Sequence, residues 1–505
     1  MIQDMNKKIL ILLVSLVMFG SSCSDFLSVN EKNPNNASAV PPKLLLPAVL
    51  NNMASMMNAP GNFEYAYLWH GLWSISSGYS QPTILVQYNL LNSSYQGPFN
   101  SSYIYGQNLT EIEKASTDPK DVYYLASAMI LKAYLFQNLV DIWGDVPYSE
   151  AFKSNEGILK PKYDKQKAIY EDVVLKLDAA IKLIQSASAT ANAVPSSSDI
   201  MFGGNMAKWA KFANTIKLRM LVHQSGMTGR DTYIKSAIAA TASVGYLGAG
   251  ESALVNPGYV ESTGKMNPFY NRYYSAAGTQ NSDGVTYHNA GRDVVDFMNS
   301  SADPRIGRFF NPYAGTSFAG NFLGQAAPPL TATNTSKLGY LKGSKGHMIG
   351  TFDKSSPILT DFESLFIQAE ATERGFISGT SAKVLYNSAM TQSFVYMGLT
   401  AADAATYIVS DKANVNYDLA SNKLNLILQQ KWVSLNGVAP VEIWTDYRRT
   451  GIPSFLHFSE DGAKQNATPP VRLLIPQNEI LYNNDNVVAV GPINAFTSKI
   501  FWQNR

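Results

Sequence analysis

The sequence predicts a mainly α-helical protein in which helix hairpins of tetratricopeptide size stack into a solenoid, with an irregular, loop-rich part added to it. Three observations carry this. Apolar residues recur at helical spacing in paired segments from about residue 110 onward, Gly and Pro stops separate the segments, and two stretches rich in Gly, Asn, Ser and Tyr lose the periodicity. A helix pair of about 34 residues cannot bury its own apolar face, so each pair needs a neighbour or an added domain to cover it.

The first element is a leader. Lys7 and Lys8 precede an eleven-residue apolar run, 9–19, then Gly20, Ser21, Ser22 and the only cysteine, Cys23. At about 1.5 Å per residue this run spans roughly half of a hydrocarbon core, so it reads as a secretory signal rather than a permanent membrane helix, and no later run is long enough to span either. A single cysteine forms no intrachain disulfide. Its position resembles the lipobox of bacterial lipoproteins, which makes Cys23 the lipidation site and the first residue of the mature chain; an ordinary signal peptide with an incidental cysteine is the alternative. Acyl chains contribute about 0.8 kcal/mol per buried methylene, enough in combination to anchor a soluble body. The expected organisation is a leader over 1–22, a tether over 23–45 that is rich in Asn and Pro, and a body over 46–505 with loop-rich segments at about 61–106 and 245–355.

Within the body, Asp121 is placed to cap a helix carrying Val122, Leu125, Met129, Leu135, Leu139 and Trp143, which Gly144 ends. Ile169, Val173, Leu177, Ile181 and Ile184 mark a second helix by their i, i+4 spacing. Thr360 and Glu363 match a capping box, with Gly375 at the stop. Further helices are expected over 381–396, closed by Gly398, and over 423–436, closed by Gly437.

Composition narrows the chemistry. Only 15% of the 505 residues are charged and 46% are apolar, against about 25% charged in an average soluble domain. The polar surface is therefore largely neutral, which suits uncharged hydroxylated ligands. A net charge of +2 offers no field for nucleic acid. The five histidines, His70, His223, His288, His347 and His457, show no metal-ligand spacing, so no metal is expected. Residues 258–265 miss the phosphate-loop spacing by one and carry Met266 where a hydroxyl is needed. Ser262 and Lys265 have serine-x-x-lysine spacing, but Gly264 opposes the helix that would align them. Paired carboxyls for glycoside hydrolysis, roughly 5–9.5 Å apart, are not visible in a sequence.

Several segments together resemble the SusD/RagB outer-membrane lipoproteins, in the branch with an Asp-Phe-Leu start. They are Asp25, Phe26 and Leu27 within 24–30; Asn33 to Asn36; the turn 143–148 with Trp143, Gly144, Asp145 and Pro147; 208–219 with Trp209 and Arg219; Phe362 and Glu363 with Ala369, Glu370 and Ala371; Gln430, Lys431 and Trp432; 442–451 with Trp444, Asp446, Arg448 and Arg449; and 470–476 with 483–487. The resemblance implies a tetratricopeptide-type scaffold with an appended irregular domain. It also implies a surface-exposed, lipid-anchored protein that lids a TonB-dependent outer-membrane transporter, binds oligosaccharide or polysaccharide, and has neither catalytic activity nor cofactor. Some members take peptides instead, which is the alternative reading. Trp143, Asp145, Trp444, Arg448 and Arg449 read as structural, the two arginines being near Asp446 and Glu442, where a planar guanidinium can pair with carboxylates or with helix carboxyl ends.

A sugar site needs flat aromatic faces with neutral amides and hydroxyls around them. Tyr65, Tyr67, Trp69, Trp73 and Tyr79, with Asn62, Gln81 and Asn89 nearby, form one group; Tyr270, Tyr273, Tyr274 and Tyr287 form another. The candidate ligand-binding residues are Trp69, Trp73, Tyr79, Tyr273, Tyr274 and Tyr287. Trp69 and Trp73 are four apart, which on a helix would instead make a core stripe.

Overall fold

A computed structural model describes residues 40–281, 284–326 and 333–503; the leader, Cys23 and the motifs up to Asn36 lie outside them. The longer helices are α1 (Pro42–Asn58), α2 (Pro60–Trp69), α3 (Gln96–Ala115), α4 (Val122–Trp143), α5 (Gln166–Gln185), α6 (Met206–His223), α7 (Asp231–Ala239), α8 (Arg292–Ser301), α9 (Asp361–Glu373), α10 (Ala382–Tyr396), α11 (Ala401–Ile408), α12 (Lys423–Ser434) and α13 (Pro440–Thr450). Short strands are β1 (Trp73–Ile75), β2 (Ala253–Val255), β3 (His288–Ala290), β4 (Phe310–Asn311), β5 (Lys337–Leu338) and β6 (Ser356–Leu359). Helices α3 to α6 pack each on the next, α9 joins α6, and α10, α11 and α12 continue the stack. This is the predicted tetratricopeptide-type scaffold.

The helices form where apolar stripes find neighbours. α5 buries Ile169, Val173, Leu177 and Ile181 on one face. α4 is buried nearly all round; with the turn before it, it is long and apolar enough to cross a bilayer, contrary to the expectation from sequence. Since 83% of its most apolar stretch is covered by the protein, it is a core helix. Gly144 ends it at φ 76°, where a Cβ would come within 2.8 Å of the Arg472 guanidinium.

Local chemistry differs from expectation at four places. Asp121 makes no cap; Asp118 accepts from Lys120 N instead, starting a 3-10 turn that leads into α4. Thr360 accepts from Glu363 N as expected, but the Glu363 carboxylate is drawn to Arg219 at 2.9 Å, so only half of the box exists. A reciprocal box does occur at Thr400 and Asp403. The tether ends earlier than residue 45, because Pro42 opens α1, a helical position that needs no amide partner.

The 61–106 stretch is not a loop: α2 and the start of the 20-residue α3 lie in it. Between 245 and 355 the chain is a succession of short helices, turns and strands. Its four-stranded antiparallel sheet has the order β1-β3-β5-β4, and β2 pairs with β6.

The motif residues meet in a buried ionic seam. Arg449 donates to both Glu370 oxygens, at 2.7 and 2.5 Å, and to Asp446. Lys431 pairs with Glu442 at 2.6 Å and Asp446 at 2.9 Å. Burial alone would raise the Glu370 carboxyl, but Arg449 and Arg374 outweigh it and hold it at about 2. Arg448 takes the other expected kind of partner, a helix carboxyl end, in the last turn of α4. It donates to the carbonyl oxygens of Asp141 and Val471 and lies 3.8 Å from the Trp444 ring centre; burial pulls it down to about 9.

Candidate functional site

The irregular part is organised by the pairing of β1 with β3, Trp73 opposite Ala290 and Ile75 opposite His288. Glycine permits the close approach: a Cβ on Gly291 would lie 2.1 Å from Gly71 O. The pairing runs one residue further, with Ser76 N donating to Tyr287 O at 2.9 Å, and the chain then turns through Tyr79 N to Ser76 O. The Gln81 amide donates to Ser76 O and Tyr79 O and holds this turn. These bonds bring together residues more than 200 positions apart in the chain. The Tyr79 hydroxyl pairs with Thr286 Oγ1. The Tyr79 and Tyr287 rings meet edge to face, 5.6 Å apart at 85°. Both are half-buried, so each keeps part of its surface open to solvent.

Of the six expected aromatics, only this pair remains accessible. Trp69 is 1% exposed, its indole donating to Leu85 O at 3.0 Å and its ring packed on Tyr65, Tyr88 and Trp444. Trp73 is also 1% exposed, bonded to Asn436 Oδ1 and stacked on Tyr67 at 4.2 Å. Tyr273 is buried with its hydroxyl 3.1 Å from His288 Nδ1, and Tyr274 is buried against Tyr270 and Tyr340. These four rings are core, not platform: a sugar cannot stack on a face that protein already covers. Trp69 and Trp73 do not share a helical stripe either, since α2 ends at Trp69 and Trp73 begins β1.

The neighbours of the tyrosine pair were not legible in sequence. Tyr95 is half-buried and packs on Tyr65 at 4.6 Å. Its phenol is pushed well up by burial, then by the Glu64 carboxylate and the Tyr65 and Tyr287 phenols. Glu64 Oε2 lies 3.1 Å from His288 Nε2 without the alignment of a hydrogen bond. The amides named from sequence have other duties. Asn62 donates to Met56 O, and Asn89 accepts from Gln465.

The residues weighed from sequence as reactive are held in other roles. His70 is buried, which drives its imidazole down to about 3, and Ser262 with Lys265 closes a turn rather than a helix. Among the described residues no group of three or more His, Cys, Asp or Glu could hold a metal ion. Two cavities open on the helical body. One, of about 680 Å³, lies among α3, α4 and α5; the other, of about 610 Å³, lies among α7, α9 and α10. Neither is lined by any of the six aromatics.

Comparison with known proteins gives consistent results. A chitin-binding protein of known structure superposes with a TM-score of 0.74 at 21% identity, covering 92% of this chain and 99% of its own. A chitin-binding SusD homologue from Flavobacterium johnsoniae gives 0.74 at 22%, covering 92% and 99%. A SusD-like protein from Bacteroides thetaiotaomicron gives 0.71 at 23%, covering 89% and 95%. No curated protein sequence matches the chain. The SusD-like family model, described as starch-binding proteins associating with the outer membrane, matches residues 34–476, and the chain belongs to the SusD/RagB family.

Proposed function

We propose that this protein captures an oligosaccharide at the outer-membrane surface, held there by a lipid on Cys23, and passes it to a TonB-dependent transporter without altering it. The observation that carries this reading is the Tyr79–Tyr287 pair, two half-buried rings at 85° on a braced turn, with the Thr286 hydroxyl on Tyr79 and Glu64 beside His288, whose ring meets Tyr287. Ring faces accept sugar C–H surfaces, while the phenols and the carboxylate match sugar hydroxyls. The chitin-binding descriptions of two solved relatives support a glycan ligand, and the family's outer-membrane association supports the location.

The energetics favour weak capture. At about 0.5–1.5 kcal/mol for each aromatic contact beyond its burial, two rings and a few hydrogen bonds correspond to roughly micromolar to millimolar affinity. Such a ligand leaves quickly enough to be handed on. Isothermal titration of the chain lacking only its leader against chitin oligosaccharides, α-glucans and a wider polysaccharide panel tests the reading. Binding to one glycan class that Tyr287→Ala weakens by about twofold to tenfold or more is the expected result; silence across every glycan with uptake of oligopeptides would assign the peptide alternative. Cys23→Ser should move the protein from the membrane fraction to the soluble fraction.

A further inference from the structure

The 610 Å³ cavity of the helical body falls within the range of small-molecule sites, about 300–1,000 Å³. Its walls are fixed from beneath. Asn214 donates to Gly245 O at 2.8 Å, and the Ser364 hydroxyl and Gln368 amide both donate to Leu247 O, so the turn carrying Tyr246 is tied to α6 and α9. The floor is apolar, made by Ile238, Phe376 and Leu385, all buried. The polar rim is Lys235, Tyr246, Ser378 and Thr380.

What distinguishes this cavity is the state of those polar groups. No Asp or Glu lines it, and Lys235 has no carboxylate within ion-pairing distance among the described residues. The Tyr246 hydroxyl likewise has no protein partner among them, although burial pushes its phenol up to about 12. The larger cavity is different. It is lined by Glu113, Asp164 and Asp172, with Lys132 satisfied by Glu113 at 2.8 Å and the Tyr148 hydroxyl by Asp172, so an anion would meet carboxylates there.

We infer that the cavity between α7 and the α9–α10 loop is a second ligand site, for a hydroxylated ring bearing one carboxylate, an acidic sugar of the uronate class. The Lys235 ammonium meets the carboxylate. The hydroxyls of Tyr246, Ser378 and Thr380 meet the ring hydroxyls, and the floor takes the ring's C–H face. This site shares no residue with the Tyr79–Tyr287 pair, and its ligand need not be that pair's ligand.

Titration of the full mature chain with glucuronate, glucose and acetate, followed by calorimetry and ligand-observed NMR, tests the assignment. Glucuronate should bind, with glucose and acetate each about tenfold weaker or worse, since one charge-assisted hydrogen bond or one apolar ring face is worth about that factor. Lys235→Met should weaken glucuronate about tenfold and Lys235→Arg should restore most of the loss; Tyr287→Ala should leave it unchanged. Lys235 is exposed, so these variants should keep the parent melting temperature. No glucuronate binding, glucose or acetate binding as tightly as glucuronate, or Lys235→Met retaining full affinity would each overturn the inference. Loss of glucuronate binding in Tyr287→Ala would also overturn it, by moving the ligand to the other site.

Discussion

The buried seam of the helical body and the Tyr79–Tyr287 edge divide the molecule's chemistry between them. The seam collects Arg219, Glu363, Glu370, Lys431, Glu442, Asp446 and Arg449, all buried. The edge presents two phenol rings and a hydroxyl, all half-buried. These seven charged residues, all from recognisable sequence segments, thus face no solvent, whereas the accessible pair sits in no motif at all. Burying a charge is tolerable only with specific partners, so a seam constrains many positions at once. An open ring face has no such requirement.

The strongest way to break this comparison is to remove one member of the seam. Glu370→Gln leaves Arg449 and Arg374 without their shared carboxylate and should cost about 3–5 kcal/mol in denaturant unfolding; a loss below about 1 kcal/mol would mean that the seam is not a structural unit. The same residue sets an acid limb. Because the folded carboxyl is held at about 2, below its unfolded value of about 4.3, its contribution is complete above the unfolded value and is lost as pH falls from there toward 2. Stability measured over that window should fall less steeply in Glu370→Gln than in the parent.

Ring truncations sharpen the contrast. Trp69→Ala and Trp73→Ala should each destabilise by about 3–5 kcal/mol, because each empties a filled core position. A binding defect in either, with unchanged unfolding, would return these rings to the recognition surface. Tyr287→Ala should have the smallest effect on the fold and should weaken glycan binding by about 0.5–1.5 kcal/mol or more, read by calorimetry.

Much of the scaffold is legible in sequence, and what is not has identifiable causes. Helices α4 and α5 follow from Leu125 to Trp143 and from Ile169 to Ile181, where apolar spacing is regular. α2 escapes notice because Tyr65, Ala66, Tyr67, Leu68 and Trp69 are all buried in succession, leaving no polar face to reveal a helical period. α3 escapes because Gly97 and Gly106 argue against a helix. Gly106 is nevertheless required there, since a Cβ would lie 2.4 Å from the Phe152 ring.

The candidate site is less legible still. Tyr79 and Tyr287 stand in two separate aromatic-rich stretches of sequence, and only the register of β1 on β3 makes them neighbours. Crowding of aromatics drew attention to both stretches, but it could not separate Tyr79 from Trp73, because accessibility is a property of the assembled structure. Glu64 and Tyr95 carried no local signal, and nothing in the sequence marks which of Arg448 and Arg449 meets main-chain oxygens and which meets carboxylates.

The indole of Trp73 reaches Asn436 across 363 positions, and that of Trp432 reaches His70 O across 362. Contacts between such distant parts of a chain form late, because a very large loop must close before they gain anything. Trp73 opens the same strand that seats the tyrosines, so the edge offered to a ligand comes into being only as the distant stretches are sewn together. A partly folded chain would therefore lack this edge, so that, on the proposed function, ligand capture there becomes a reporter of completed folding.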